Sequence, residues 1–572
     1  MPRITTRAGH RLISLGLYAF FILFFLWPIY RVVDRGFTTR SGHFTFQYVE
    51  LIFTDPQLLR GLVNAIVIAA AVTALCMLLA MPLAILSVRY EFRGRGLLSG
   101  LMLAPLVLPP FVGAIGIRLI LGRLGPLSVL LGYGHGAGFD WLGRFRAAGI
   151  ILVETLHLYP LILLNIQAAL ANIDPTMEQA AANLGAHRWA VFRRITLPLI
   201  RPGIFAGCTL TLIWSFTELG TPLIFGFQTI TPVQIFEQLT DVADNPLPFA
   251  LVVVTLAVAT ALYLTGKVLL GRSYDTAVTK ASIAQSPQRL RGLRAAAAAV
   301  PFILVLLLAL LPHVSVILTS ISATGQWYRS ILPKSFTAAH YLSALTDELA
   351  MPSIANSALY ASLATVLGLI VGLGVGIVAA RSQLIDRGLI DALSMLPLAV
   401  PGLVLAFGYL AVSVSLQQKF GERLPVWLNV QEMPVFFLVI AYAARRLPYI
   451  VRPIVAGLQQ TPIDLELAAA NLGASRLTVL RRITIPLILA NIIAGALLAF
   501  AFAMLEVSDS IILAQKAAYF PITRAIWELF QRLGDGVYIA SALGVWAMLL
   551  LTFTLLAANA LLGRKMGAVF RI

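Results

Sequence analysis

A helix needs about twenty consecutive, mostly apolar residues to cross the hydrocarbon core of a bilayer, and this chain offers such runs repeatedly. Twelve are read, near 12–33, 61–88, 97–121, 149–171, 199–226, 248–270, 298–320, 354–380, 389–416, 434–457, 487–513 and 539–562. With no water in the bilayer core, a single spanning segment satisfies its backbone only as a helix. The expected fold class is therefore all-α integral membrane, with twelve transmembrane helices. Apolar residues make up 59% of the 572 and charged residues 12%, against about 25% charged in soluble domains. That excludes a soluble enzyme and a disordered chain. Cys76 and Cys208 both lie inside apolar runs, so there is no disulfide framework. The first run follows Arg3, Arg7 and Arg11 but is longer than a signal h-region, and it reads as a retained helix.

The net charge of +17 is sorted by side of the membrane. With the N-terminus inside, and charges near a span end counted with their side, the inner segments hold 24 Lys and Arg against 8 Asp and Glu, and the outer segments 15 against 13. The basic excess lies inside, as the positive-inside rule requires. Nucleic acid is not needed to explain it. Both termini are expected in the cytoplasm.

The second half of the chain repeats the first. Asn64, Arg89, Pro105, Pro109 and Gly116 recur as Asn356, Arg381, Pro397, Pro401 and Gly408, all at an offset of 292. Further on the offset is 288, where residues 178–200 and 466–488 agree at 17 of 23 positions. Each copy has six helices, an even number, so the two enter and leave the membrane alike and are parallel repeats, not inverted ones. The expected layout is a basic N-terminal segment, first helix and outer loop (1–56), a first core (57–270), a cytoplasmic linker (271–297), a seventh helix and outer loop (298–349), a second core (350–562) and a tail (563–572).

The best preserved part of the repeat is polar and lies on the inner side. Asp174-Pro175 and Thr461-Pro462 each place a capping side chain before a proline, an expected helix start. Glu178-Gln-Ala-Ala-Ala-Asn-Leu and Glu466-Leu-Ala-Ala-Ala-Asn-Leu continue it, and Gly185 and Gly473 stop it. A second basic helix is expected to end at Pro198 or Pro486, where the next span begins. The product is a platform occurring twice, at 174–198 and 461–486. A tether would need no Glu and Gly in identical register in both halves, whereas docking of a two-fold-related cytoplasmic partner would.

Glu-x-Ala-Ala-x-x-x-Gly followed by Ile-x-Leu-Pro or Ile-x-Ile-Pro resembles the EAA loop of type I ATP-binding-cassette importer permeases, and the resemblance covers nearly the whole chain. It implies the type I permease fold and a membrane subunit that is no enzyme itself. Two copies of a nucleotide-binding subunit would dock on the platforms through Glu178, Ala181, Gly185, Glu466, Ala469 and Gly473. ATP and magnesium would be held by that subunit. The sequence agrees, having no G-x-x-x-x-G-K-[ST] phosphate loop: Gly266-Lys267 is followed by Val268. A periplasmic or lipid-anchored binding protein would deliver the solute to the outer loops, which carry Trp141, Trp327 and Trp527. The fused two-half form is similar to the branch with ferric-iron, thiamine and 2-aminoethylphosphonate permeases, and ferric iron is the first substrate expectation. That branch tends to carry Glu-Leu-Pro where this chain has Glu506-Val507-Ser508-Asp509, which leaves phosphonate, phosphorylated sugar or thiamine open. An ion-coupled carrier or channel is the reading of another class.

Ionisable residues within spans are functional candidates by default. Glu218 and Glu506 match at 288, and Asp509 lies a turn beyond. They line a cation route or tie helices together. Arg445 and Arg446 sit mid-span, suited either to an anion or to pairing with Glu506 or Asp509. Glu154 and His157 have the Glu-x-x-His spacing of bundle metal sites, but position 442, where a second Glu belongs, is Tyr, and no metal site is expected.

Overall fold

The computed structural model describes residues 7–39, 41–107, 109–133, 138–239, 245–270 and 287–562. Arg3, the linker stretch 271–286 with Lys280, and the tail 563–572 lie outside the described residues. In chain order the main elements are α1 (Gly9–Gly36), α2 (Pro56–Arg89), β1 (Tyr90–Glu91), α3 (Arg95–Leu106), α4 (Pro110–Ile120), α5 (Trp141–Ala171), α6 (Pro175–Asn183), α7 (Arg188–Phe216), α8 (Gly220–Phe225) and α9 (Leu247–Val268). There follow β2 (Gln288–Arg289), α10 (Gly292–Ile321), α11 (Ala350–Arg381), α12 (Arg387–Ala399), α13 (Gly402–Phe420), α14 (Val435–Gln460), α15 (Asp464–Asn471), α16 (Arg476–Leu487), α17 (Leu489–Met504), α18 (Ser508–Leu513) and α19 (Gly536–Leu562).

Among the described residues nine helices are long and apolar enough to cross a membrane, and eleven if the pairs α3/α4 and α16/α17, bent by 88° and 74°, each count as one span. The expected run at 434–457 is α14, whose 26 residues suffice in length. Arg445, Arg446 and Arg452 keep it out of that apolar set. Proline explains the α3/α4 break and the start of α13. Pro109 and Pro110 open α4, and Pro401 precedes α13; lacking an N–H, proline starts a helix readily and cannot continue one.

The described residues fall into two compact units. One gathers the segment up to Asp55, Ile235–Leu256 and the segment from Ala339 onward; the other gathers Pro56–Gln234 and Ala257–Ala338. The first helix of each half is thus grouped with the core of the opposite half. Matched glycines make the seats. A Cβ on Gly408 would come within 2.8 Å of Pro28 in α1, and one on Gly116 within 2.5 Å of the Pro312 carbonyl in α10. Ser315 in α10 also donates to the Gly116 carbonyl at 2.9 Å.

Inside each unit the second core helix uses small residues to approach the fourth. Gly368, Gly372 and Gly376 in α11 face Ile450 and Ile454 of α14, where an added Cβ would meet side-chain carbons at 2.5–2.7 Å. Their counterparts in α2, at the same offset of 292, are Cys76, Ala80 and Ala84, all fully buried. Cys76 Sγ lies 3.4 Å from the Thr155 carbonyl of α5. Small residues every fourth position are how helices pack closely where lipid gives no hydrophobic drive.

Candidate functional site

The two platforms share one glycine turn. α6 ends in a Schellman turn: Ala186 N–H donates to Ala181 C=O, Gly185 N–H to Ala182 C=O, and Gly185 has φ +86°. The second copy repeats this with Ala474 to Ala469, Gly473 to Ala470, and φ +87°. The two alanines therefore serve the turn through their carbonyls.

Asp174 caps α6 by accepting from Thr176 N–H at 2.9 Å. The backbone and hydroxyl of Thr176 hold its carboxyl below the ordinary value of 3.8. The matching expectation for Thr461 fails. Its hydroxyl donates back to Gly457 C=O at 2.9 Å, its carbonyl accepts from Arg381, and α15 starts three residues later with no side-chain cap. The threonine is thus spent closing α14.

The separate second platform helix ending at proline is found in the second half, where α16 stops at Leu487, and is corrected in the first. In the first half α7 runs unbroken from Arg188 through Pro198 to Phe216, by way of a π-helical turn at Phe192–Thr196. In the second the π-helical turn is Leu480–Thr484, and the bend comes at Ile488, two residues past Pro486. A π turn already leaves the α-helical register, so a proline just after it removes little bonding.

Glu178 and Glu466 point back into their own units. Glu178 Oε1 accepts from Arg89 at 2.5 Å and from Thr196 Oγ1 at 2.5 Å, and Arg89 also donates to Thr196 Oγ1 at 3.0 Å. Glu466 Oε1 accepts from Arg381 at 3.3 Å and from Thr484 Oγ1 at 3.1 Å. Among polar neighbours, each platform also exposes large apolar side chains. Met177, Leu184 and Trp189 are exposed, as are Leu465, Leu472 and Leu477 at the same offset of 288. Leu184 and Leu472 are 88% and 89% exposed.

The membrane-embedded candidates gather differently in the two units. Glu218 and Glu506 lie at helix breaks, between α7 and α8 and between α17 and α18. Thr221 N–H in α8 donates to Glu218 at 3.3 Å. Arg445 reaches Glu506 Oε1 at 3.0 Å and Asp509 at 3.8 Å, and Arg446 donates to Glu506 Oε2. Both acids are buried, and Tyr442 shares a hydrogen bond with Ser510 at 2.5 Å beside them. The Arg445 guanidinium lies against Gly402, where a Cβ would be 1.2 Å from Nη1. At the matching positions of the first half stand His157, whose Nδ1 is 2.7 Å from the Pro105 carbonyl, and Pro110. Glu154, buried, takes a hydrogen bond from Ser215. Among the described residues no three His, Cys, Asp or Glu side chains lie close enough together to hold a metal.

Comparison with known proteins shows the family. A family model described as "Binding-protein-dependent transport system inner membrane component" matches residues 76–276 and again 364–567. The chain belongs to that family. It is a multi-pass membrane permease of the importer type, in a form with two permease halves in one polypeptide. It is 25% identical over 568 residues to a ferric transport system permease protein of Actinobacillus pleuropneumoniae, covering 94% of this chain and 76% of that one. To the molybdenum transport system permease protein of Escherichia coli K12 it is 36% identical over 182 residues, 31% of this chain and 74% of that one. A solved bacterial ABC transporter that imports alginate aligns with TM-score 0.39 and 18% identity over 46% of this chain and 96% of that one; so loose a likeness carries no argument. As a permease of this family the chain holds two sets of residues that motif reading passed over. Arg89 and Arg381 showed only as repeat matches, and Thr196 and Thr484 only as part of Ile-Thr-x-Pro, though their shared register was the available signal.

Proposed function

We propose that this chain is the membrane subunit of an ATP-driven importer in the bacterial inner membrane, with both termini cytoplasmic. Two copies of a separate ATPase subunit, which carry the ATP and magnesium, dock on the platforms. A periplasmic or lipid-anchored binding protein delivers the solute outside. The observation that carries this reading is the duplicated exposed apolar face, Met177, Leu184 and Trp189 with Leu465, Leu472 and Leu477. Large apolar side chains left exposed on a polar loop fit a protein partner, and identical register in both halves fits two copies of it. ATP binding brings the two motors together, the platforms move with them, and the permease alternates between outward and inward access. The ion-coupled carrier leaves this face without a role.

Ferric iron is the substrate we favour. A relative that spans most of this chain is by name a ferric permease. Arg445 and Arg446 are moreover matched by Glu506 and Asp509, which leaves no surplus positive charge there for an anion. Gly185→Arg with Gly473→Arg places a charge on each docking face, so the co-purifying ATPase should be lost while the permease still folds. Proteoliposomes holding the intact complex should take up iron from a loaded binding protein only with ATP inside or outside as orientation dictates. Uptake by the chain alone, without nucleotide or companion subunit, would refute the reading, and stimulation by a phosphonate-loaded or thiamine-loaded protein instead would move the substrate.

A further inference from the structure

Resting on the proposed function, we infer that Glu178 and Glu466 are internal joints and not contacts to the ATPase: each fixes its platform to two membrane helices of its own unit. In both halves a single carboxylate oxygen, Oε1, is where three elements meet. Arg89 is the last residue of α2 and Arg381 the last of α11. Glu178 and Glu466 stand in the first turn of the short platform helix. Thr196 closes the π-helical turn inside α7 and Thr484 the one inside α16. The three residue types recur at offsets of 292, 288 and 288, and the Arg–Glu and Thr–Glu contacts repeat in both copies, while Arg89 also donates to Thr196 and Arg381 instead to the Thr461 carbonyl.

Burial fits an internal role. The side chains of Arg381 and Glu466 are 13% and 5% exposed, those of Arg89 and Glu178 32% and 21%. A carboxylate that already accepts from a guanidinium and a hydroxyl at such depth is not offered to a partner, whereas the neighbouring leucines are. The division of labour follows: apolar side chains bind the motor, and the glutamate carries its displacement to the second and fifth helices of that core together. An Arg–carboxylate pair with a third hydrogen bond resists shear in two directions, which a lone apolar contact does not.

The test is a charge exchange within this chain. In the complete complex in proteoliposomes, Glu178→Ala with Glu466→Ala should keep the ATPase bound at the wild-type ratio, while stimulation of hydrolysis by loaded binding protein and uptake per ATP fall about tenfold, the range of ordinary coupling energies. Exchanging partners, Arg89→Glu with Glu178→Arg and Arg381→Glu with Glu466→Arg, should restore most of both. Release of the ATPase by the alanine variant, or an exchange variant as inactive as the single changes, overturns the joint. Should the alanine variant fail to fold, Glu178→Gln with Glu466→Gln keeps the one acceptor oxygen on which both donors converge and should retain stimulation, and its loss counts equally against the proposal. The failure of the importer reading is separable. If the wild-type complex shows no ATP-dependent uptake, a double-mutant cycle of Arg89 and Glu178 on the melting of the purified chain still reports whether the two residues are coupled, and additive effects overturn the pairing.

Discussion

Gly402 and Arg445 show how one residue's chemistry is set by the absence of another's side chain. The guanidinium occupies the volume a Cβ would fill, so Gly402→Ala must expel Arg445 from Glu506 and Asp509. Removing one partner of a buried charge group costs about 3–5 kcal/mol, since the charges left behind are uncompensated. Gly402→Ala and Arg445→Ala should therefore each lower the melting temperature in detergent, and the double variant should be no worse than the worse single one; additive losses would show that the contact is not shared. Gly185 and Gly473 differ, because nothing lies within 4 Å of an added Cβ and only the positive φ opposes it. Alanine there should cost about 1 kcal/mol per site, with asparagine milder, read by thermal melting. On the outer side, burial raises the Asp347 carboxyl, but the 2.7 Å bond from Arg532 and the N–H groups of Leu349 and Ala350 outweigh it and hold the group below 3.8. A depressed folded value means the tie is complete above the unfolded value, about 3.9, and is lost as pH falls through the folded one. The melting difference between wild type and Asp347→Asn should be constant above about pH 5 and shrink below about pH 4. At this scale the sequence was legible where a residue needs a special backbone, as Gly185 and Gly473 do. It was silent on Gly402 and on the inward turn of Glu178, because both depend on neighbours from elements distant in the chain.

Among the elements, the spans were legible because lipid imposes one length and one composition on them. The helix breaks at Glu218 and Glu506 were not, since apolar runs continue through them. The matched glycines of α4 and α13 stand between these cases: their repetition was plain, and their use as seats for α10 and α1 was not. That use makes a sharp prediction. A Cβ on Gly408 would sit 2.8–3.0 Å from the Cβ, carbonyl carbon and oxygen of Pro28, and the first two atoms of that wall are backbone or ring, unable to swing aside. Gly408→Ala should destabilise by about 1–3 kcal/mol, the usual cost of overpacking, and Gly116→Ala should do the same against α10. Cysteine accessibility along α1 should rise in the first variant and along α10 in the second. Unchanged accessibility in both would mean that these helices are not held there.

At the scale of the whole molecule, the two halves of the sequence are not the two units of the structure. The repeat, read alone, invites the division 57–270 and 350–562 with each first helix attached to its own core. The described residues instead group the segment up to Asp55 with residues from Ala339 onward, and Ala257–Ala338 with Pro56–Gln234. Nothing local in α1 or α10 encodes this, since an apolar helix fits any small-residue seat and the choice is made by what remains uncovered once each core has formed. Within the first of these units Phe21, Phe25 and Val32 of α1 are buried, and the Tyr409 hydroxyl of α13 donates to the Phe24 carbonyl at 2.7 Å. Each half therefore completes the other, and the covalent linker should be dispensable where a half alone is not. Cutting the gene within 271–286 and expressing both pieces should give fragments that co-purify through a tag on one of them and together restore ATP-dependent uptake. Either fragment alone should aggregate or be degraded, because each would leave a glycine-lined seat and a helix of buried Phe and Val residues uncovered. A first fragment that purifies as a stable, monomeric, protease-resistant species would show that α1 is satisfied by its own core, and the exchange of first helices between the halves would have to be given up.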